Sequence, residues 1–186
     1  MGIINSVRKC AVTVIWIVFA STTSLFAQEV DVEALLLELA DPATENWQAV
    51  ERKIRNEWSR SGSAAMDLLY QRGEKALEDQ DYTKAMEHFT ALTDHAPDFA
   101  EGWNARATVL FHQENYGPAM DDLSKALSLN PNHFGAMTGL AVILGSVGMK
   151  KESLEIWRMV FAIHPHRPET LEAIGHLEKE IAGEAL

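Results

Sequence analysis

Three prolines recur at a fixed interval in the second half of the chain. Pro97, Pro131 and Pro165 are 34 residues apart, and the segments that contain them align without a gap: 66–99, 100–133 and 134–167. A repeat of this length accommodates one pair of helices, which cannot bury its apolar face unless a neighbouring pair covers it. The period therefore predicts an all-α array of stacked helical pairs, in which each pair contacts its neighbours.

Equivalent positions of the three segments carry residues of matching size. One set is small, as expected where two helices cross closely: Gly73, Ala107, Ala141, Ala85, Ala119 and Ser153. A second set is large and lies one helical turn beyond the last three of these: Phe89, Leu123 and Trp157. Small and large residues that share one face predict a buried seam between the paired helices.

This pattern resembles the tetratricopeptide repeat (TPR) family. The central segment carries the resemblance most completely, at Trp103, Ala107, Tyr116, Ala119, Ala126 and Pro131. The first segment matches at Gly73, Tyr82, Ala85, Phe89 and Pro97, and the more degenerate third at Ala141, Gly148, Ser153, Trp157 and Pro165. About 100 of the 186 residues are covered. The resemblance implies a TPR-type superhelical solenoid of about three helical hairpins.

Helix positions follow from the apolar period and from the prolines that interrupt it. We expect paired helices at 63–79 and 82–95, 98–113 and 116–129, and 132–147 and 150–163. Residues 28–62 are predicted as an N-terminal helical region, a divergent repeat or a cap, with a helix that starts at Asp41-Pro42. Residues 168–186 are predicted as a C-terminal capping helix, because an uncapped array would expose an apolar face.

The first 27 residues differ from the rest of the chain. Arg8 and Lys9 precede the apolar run 11–20, and small and polar residues follow up to Ala27. This order is typical of a secretory signal peptide, cleaved here after Ala27. An uncleaved membrane anchor is the alternative, although the four polar residues 21–24 dilute the apolar stretch. We therefore expect a periplasmic or secreted protein without membrane insertion after signal cleavage.

The chain without its signal segment is acidic and free of cysteine. Removing Arg8 and Lys9 leaves 14 basic residues against 27 acidic ones, a formal charge of −13. Such a charge repels nucleic acid, because phosphate binding needs clustered lysine and arginine. Cys10 is the only cysteine and lies within the signal segment, which excludes disulfides and cysteine ligands from the mature chain.

In the TPR family the first helix of each pair lines a concave groove, which usually accepts an extended peptide or a partner helix. The resemblance places ten candidate residues there: Asp67, Tyr70, Gln71, Glu74, Glu101, Asn104, Thr108, Phe111, His112 and Thr138. They combine carboxylates, amides and aromatic rings and include no lysine. A clamp for a peptide carboxylate is therefore disfavoured, and a basic or mixed polar and aromatic peptide fits better. A simply solvated helical face is the alternative.

The sequence nominates no catalytic residue, no metal ligand set and no cofactor. It contains no Gly-x-Ser-x-Gly elbow, no phosphate-binding glycine loop and no His-Glu-x-x-His pattern. Near the ends of the second helices or in the following turns lie His95, His133, His164 and His166. Of these only His164 and His166 are close together, and they are interpreted as helix-end residues that cap carbonyls or face solvent rather than as metal ligands. Arg106 is expected to pack its stem between helices and to pair with a carboxylate.

Together these features favour an exported scaffold for protein–protein interaction, rather than an enzyme, whose groove binds a peptide or partner helix of an envelope protein. Two alternatives stay open. In the first, the array self-associates as a structural assembly module without peptide binding. In the second, which the residues favour less, the protein binds a small ligand or a metal ion.

Overall fold

The computed structural model describes residues 30–184, which form nine α-helices. In chain order these are α1 Val32–Ala40, α2 Trp47–Trp58, α3 Ala64–Glu78, α4 Tyr82–His95, α5 Ala100–His112, α6 Tyr116–Leu129, α7 Phe134–Ser146, α8 Lys150–Ile163 and α9 Pro168–Glu184. Three antiparallel pairs, α3 with α4, α5 with α6 and α7 with α8, form the predicted array. The predicted signal peptide lies outside the described residues.

The second helix of each pair spans the residues that the sequence predicted. The first helices of the second and third pairs begin two residues later than expected, at Ala100 and Phe134. The reason is a tight turn before each helix. In the first of these turns the amide of Phe99 donates to the carbonyl oxygen of Ala96 at 3.0 Å, and an equivalent bond closes the turn at 130–133. The chain therefore completes a turn after each proline before it enters the helix.

The connection within each pair uses the same left-handed backbone position. Gln80 and Glu114 have φ of 59°, and Gly148 has φ of 83°. In the first pair the amide of Asp81 donates to the carbonyl oxygen of Ala76 at 2.8 Å, and the corresponding bonds close the other two turns at 2.9 and 2.8 Å. This is a Schellman ending, which normally carries glycine at the left-handed residue. Only the third pair has glycine, which adopts this conformation without strain, at the left-handed position.

The predicted seam between paired helices is present in all three pairs. A Cβ atom at Gly73 would overlap the ring of Phe89, so the close approach of α3 and α4 depends on glycine. In the third pair, the hydroxyl of Ser153 donates to the carbonyl oxygen of Ala141 at 2.7 Å, so a polar residue occupies a buried seam position without an unpaired group. The three large seam residues are all buried, as predicted.

Hydrogen bonds of one arginine connect successive helical pairs of the array. Arg106 donates two parallel hydrogen bonds of 2.7 Å to the carboxylate of Asp122 and one of 2.9 Å to the hydroxyl of Thr93. Its guanidinium also lies 4.8 Å from the ring of Trp103. Such a bidentate pair is geometrically specific. The structural role that the sequence predicted for Arg106 is thus confirmed.

The last helix, α9, covers the outer end of the third pair. Its Leu177 is buried in a cluster with Met137, Trp157 and Val160. The ion pair between Arg158 and Glu178, at 2.7 Å, joins α8 to α9 at the surface of the same contact. Burial of Leu177 contributes about 1.5–3 kcal/mol to this contact.

Helices α1 and α2, here named the N-terminal hairpin, pack against the third helical pair. Their core contains Leu39, Val50 and Ile54, and the array contributes Phe134 of α7 and Ile163 of α8 to it. A divergent repeat or cap at this position in the chain would cover the first pair. The hairpin instead folds back along the array, because its apolar side chains find their complement at the opposite end.

The second helix of the hairpin starts later than the sequence predicted. Asp41 does not cap a helix there: its carboxylate accepts the amide of Ala43 at 2.9 Å, and the hydroxyl of Thr44 donates to the carbonyl oxygen of Glu38 at 2.6 Å. These local bonds fix a turn rather than a helix start. The helix begins only at Trp47.

A partly buried carboxylate secures the hairpin to the array. Glu51 of α2 binds the guanidinium of Arg167 and lies 3.2 Å from Nε2 of His164, a residue that is fully buried. We name these three residues the Glu51 cluster. Trp47 adds an edge contact to His164, with ring centroids 5.3 Å apart, and stacks on His166 at 5.7 Å.

Burial opposes charge on both members of the Glu51–His164 contact. Burial alone would raise the pKa of Glu51, but the hydrogen bond to His164 and the charge of Arg167 hold that pKa below its usual range. For His164, burial outweighs the bond to Glu51 and lowers the pKa. Near neutral pH the stable state is therefore an ionised carboxylate beside a neutral imidazole.

Glycine at the left-handed turn of the second pair should stabilise the protein. We expect Glu114→Gly to raise the free energy of unfolding by up to about 1 kcal/mol. Removing the Cβ relieves a cost of roughly 1–2 kcal/mol in this conformation, but the larger entropy that glycine loses on folding offsets part of that gain. The reverse change, Gly148→Ala, should lower it by about 1 kcal/mol. Urea denaturation followed by circular dichroism measures both. A loss of stability in Glu114→Gly would contradict the assignment of strain.

Acidification should loosen the hairpin. Because the folded pKa of His164 is lowered, the undocked form binds more protons below about pH 6.5, so stability is complete above that pH and is lost as pH falls through the folded pKa. Glu51 adds a second loss below about pH 4.5. Hydrogen exchange of α1 and α2 amides at about pH 7.5 and 5.5 measures the change.

Substitution of the buried imidazole isolates its contribution. His164→Gln should flatten the pH dependence of exchange in α1 and α2, while His95→Gln, at an exposed position on α4, should retain it. Equal pH dependence in the wild type and in His164→Gln would show that other groups control the docking.

Candidate functional site

The inner face of the array contains an open apolar pocket between α5 and α7. Its volume is about 320 Å³. Ala107, Leu123, Val142 and Ile143 supply apolar side chains to its walls. Five of the ten predicted groove residues also line it: Asn104, Thr108, Phe111, His112 and Thr138. We name this cavity the apolar pocket.

A smaller cavity of about 110 Å³ continues the same face toward the N-terminal hairpin. Its lining includes Arg55 and Trp58 of α2, Glu101 of α5 and Arg167. The two cavities share three residues: Asn104, Gly135 and Thr138. We name the second cavity the polar pocket. The groove is therefore continuous, and the hairpin closes one side of it.

A hydrogen-bonded carboxylate lies at the centre of the polar pocket. Glu101 Oε2 is 2.7 Å from Nε2 of His133, and its Oε1 accepts the amide of Asn104 at 3.0 Å and the hydroxyl of Tyr70 at 3.4 Å. Burial alone would raise the pKa of Glu101, but the interactions with His133, the hydrogen bond from Asn104 and the positive charge of Arg55 together outweigh burial and hold the pKa below the usual range. Glu101 is therefore ionised at neutral pH.

The tautomer of His133 follows from its two contacts. His133 caps α7, where its Nδ1 accepts the amide of Ala136 at 3.0 Å. The proton must then be on Nε2, which donates it to Glu101. Trp58 of the hairpin stacks on this imidazole with ring centroids 4.8 Å apart. His133 thus links the start of α7, the carboxylate of α5 and the hairpin.

A second carboxylate extends the acidic side of the groove. Burial first, and then the charge of Glu101, raise the pKa of Glu74, while the phenol of Tyr70 lowers it. The pKa of Tyr70 is raised by the same two causes. The positive charge of Arg55 acts on Glu74, Glu101 and Tyr70 from across the polar pocket, and lowers the pKa of each. One exposed cation therefore faces two partly buried carboxylates.

The remaining predicted groove residues differ in how available they are. Asp67 is already bound: its carboxylate accepts the amide of Ser61 at 2.8 Å and the Ser61 hydroxyl at 2.6 Å, which fixes the linker before α3. Gln71 is exposed on α3. His112 stacks on Tyr82 with ring centroids 5.1 Å apart. The side chains of Asp67 and His112 are therefore already engaged in contacts within the protein.

Three lining residues, Thr108, Phe111 and Thr138, differ in their capacity to contact a ligand. The hydroxyl of Thr108 donates to the carbonyl oxygen of Asn104 at 3.0 Å, so Thr108 is internally satisfied. Phe111 packs on Tyr116 and presents part of its ring to the pocket. Thr138 differs from both, because its hydroxyl is buried and has no hydrogen-bond partner among the residues that the structure describes. An unpaired buried hydroxyl marks the point where a ligand group gains a bond.

Sequence reasoning missed the residues that the hairpin and the repeat turns bring to the groove. Arg55 and Trp58 belong to α2, which the repeat pattern does not include. His164 was interpreted as a helix-end residue that caps a carbonyl or faces solvent, which is wrong: it is fully buried and lies 3.2 Å from the carboxylate of Glu51. His133 received no role in the groove, yet it is buried, accepts an amide and binds Glu101. The aromatic period of α2 signals an amphipathic helix, but not the surface on which that helix docks.

The described residues offer little for other kinds of site. Within residues 30–184, no three histidine, aspartate or glutamate side chains are grouped so as to hold a metal ion. In the same range, no helix combines the length and apolar character needed to cross a membrane.

Comparison with known sequences identifies the repeat. The sequence profile of the tetratricopeptide repeat matches residues 100–133, the central segment of the array. A TPR repeat-containing protein of Rhizobium etli is 36% identical over 135 residues, which cover 73% of this chain and 66% of the relative. The chain thus spans slightly less than two thirds of that relative's length.

Solved structures share the architecture at lower identity. The first TPR domain of Spaghetti, bound to an HSP90 peptide, superimposes with a TM-score of 0.61 at 19% identity, covering 63% of this chain and 93% of that one. The type III secretion chaperone SycD of Yersinia enterocolitica, in complex with a peptide of the translocator YopD, gives 0.59 at 14% identity, covering 63% and 95%. At such identity the likeness concerns the fold. The repeat profile, the Rhizobium relative and the observed helical pairs agree, and the chain belongs to the tetratricopeptide repeat family.

Proposed function

We propose that this chain is an exported, non-enzymatic scaffold that binds a segment of an envelope protein in its concave groove. The observation that carries the proposal is the continuity of the apolar pocket with the polar pocket along the inner face. TPR structures that resemble this fold contain bound peptides, which supports the same kind of ligand here.

The dimensions of the groove suit side chains of a peptide. The apolar pocket, at about 320 Å³, is near the lower limit for cavities that hold small molecules. Its floor of Ala107, Leu123 and Ile143 accepts one large apolar side chain. Beside it, the Thr138 hydroxyl and the Asn104 side chain can bond to backbone groups of the same segment. An apolar anchor flanked by polar contacts is the usual pattern at a peptide site.

Export rests on the order of residues at the start of the chain. A basic pair, an apolar run and small residues up to Ala27 compose a secretory signal. The partner of an exported scaffold is itself an exported or envelope protein. The absence of cysteine after Cys10 is compatible with either redox state of that compartment.

A cross-linking experiment tests the groove. Benzoylphenylalanine replaces Val142, which is 37% exposed at the apolar pocket, or Met159, which is 49% exposed on α8 outside either pocket. After irradiation in cells, Val142 should yield a protein adduct that Met159 does not yield. Adding Thr108→Trp, which fills the apolar pocket with an indole ring, should reduce the adduct at least about tenfold.

The mass of the adduct separates the alternatives. Circular dichroism must first confirm that the Thr108→Trp chain is folded. Equal adducts from both positions would contradict the groove proposal. An adduct of twice the chain's own mass would favour the self-associating assembly module instead.

Processing of the N-terminus tests export. In a bacterial host the chain should accumulate in the periplasm with Gln28 as its first residue, as measured by mass spectrometry. Charge reversal of the signal, with Arg8→Glu and Lys9→Glu, should block processing, whereas Lys151→Glu on α8 should not. A full-length chain in the membrane fraction would support an uncleaved anchor and contradict this proposal.

A further inference from the structure

The N-terminal hairpin has its own core and a narrow attachment to the array. Most members of that core come from α1 and α2 themselves: Val32, Leu35, Leu36, Leu39, Trp47, Val50, Ile54 and Trp58. The array adds Phe134 and Ile163, and the Glu51 cluster adds the ionic contacts. A unit that buries its own apolar side chains can separate from its neighbour without unfolding. The linker 59–63 has no regular secondary structure, and because Asp67 holds its Ser61 to α3, such a movement would turn about residues 59 and 60.

The hairpin presents a basic and an aromatic side chain to the groove. Arg55 and Trp58 are three residues apart and therefore lie on one face of α2. Both line the polar pocket, where Trp58 stacks on His133 and contacts Phe134 with ring centroids 5.1 Å apart. The apolar pocket, which shares walls with this cavity, has no such occupant from the hairpin.

The acidic side of the groove is only partly neutralised by this arrangement. Arg55 is 65% exposed and pairs at 3.7 Å with Glu51 of its own helix. Within residues 30–184, the phenol of Tyr70 and the charge of Arg55, which acts through space, are the two influences that favour the ionised form of Glu74. A cation placed nearer to Glu74 and Glu101 would gain more from both carboxylates than Arg55 does.

We propose that α2 is a resident occupant of the binding groove, and that an amphipathic partner helix with a basic residue and an aromatic residue three positions later displaces the hairpin. This inference rests on the proposed function, since it specifies the partner of the same groove. The partner's cation takes the acidic side, its aromatic ring replaces Trp58, and an apolar side chain enters the apolar pocket. The hairpin places no side chain in the apolar pocket, so this additional contact lets the partner bind the groove more tightly than the hairpin does.

Competition with a peptide copy of α2 tests the inference. A fluorescein-labelled synthetic peptide of residues 45–60 is titrated by anisotropy into the full chain as isolated after export. Glu51→Gln removes the ionic attachment of the hairpin, and with it the ion pair of Arg55, while the side chains of Arg55 and Trp58 remain in place on α2. Because the apparent affinity scales with the fraction of open groove, this variant should bind the peptide at least about tenfold more tightly than the wild type.

Two controls show whether the effect is specific. Glu57→Gln changes a carboxylate of the same helix whose partner, Arg60 at 3.2 Å, also belongs to the N-terminal segment, so its affinity should equal that of the wild type. A peptide with Arg55→Glu and Trp58→Ala should lose binding to the Glu51→Gln chain. Equal affinity of the wild type and Glu51→Gln, or undiminished binding of the altered peptide, overturns the proposal.

A direct measurement of displacement does not depend on the Glu51 variant being folded. Cysteines introduced at Leu37 of α1 and Lys179 of α9, both exposed, accept a donor and an acceptor dye, and the exported chain has no other thiol after Cys10 is removed. Saturation with the unlabelled 45–60 peptide should lower the energy transfer. Unchanged transfer at a concentration that saturates anisotropy overturns the displacement.

The cross-link at Val142 distinguishes failure of this inference from failure of the proposed function. If Val142 captures a partner but the peptide neither binds nor displaces the hairpin, the groove function stands and the resident-occupant inference falls. If the peptide displaces the hairpin but Val142 captures no protein, the groove is open to a helix and the adaptor role falls.

Discussion

The architecture depends on one repeated contact, in which a small residue of one helix admits a large residue of its partner. The approach of Gly73 to the Phe89 ring shows the constraint most clearly, since any side chain at that position would overlap the ring. Close crossing of the paired helices makes the turn between them short, and the short turn requires a left-handed residue at Gln80, Glu114 and Gly148. Seam, turn and stacking are therefore consequences of the same geometry, and they align the first helices along one concave face.

The hairpin changes what that face can do. An open array presents a shallow surface, whereas α2 adds a wall and brings two side chains, Arg55 and Trp58, into contact with it. The attachment uses a carboxylate and an imidazole that both resist being charged when buried, so the contact of Glu51 with His164 depends on its surroundings more than an apolar contact would. Docking of the hairpin on the array therefore depends on pH.

Two kinds of residue share the groove and have different consequences for binding. Glu101, His133 and Tyr70 form a satisfied network that fixes the positions of α3, α5 and α7 relative to each other, and their removal would disturb the groove's shape. Thr138, by contrast, has an unpaired hydroxyl, and Val142 exposes an apolar side chain beside it. We expect Thr138 and Val142 to contribute most of the affinity for a partner. The network around Glu101 is expected to fix the shape that the partner must match.

The sequence alone determined the repeat frame, the limits of the second helices and the buried seam, because these depend on contacts that recur every 34 residues and leave a periodic record. Half of the ten groove residues that it predicted line the apolar pocket, since register within a helix fixes which side chains face inward. Only the tertiary structure decided where the hairpin docks, that Asp67 serves the linker and that His133 binds Glu101. The contact of Glu51 with His164 joins residues 113 positions apart. A single contact of that range leaves no period in the sequence. It forms because apolar surfaces fit together and charged groups pair in the folded structure.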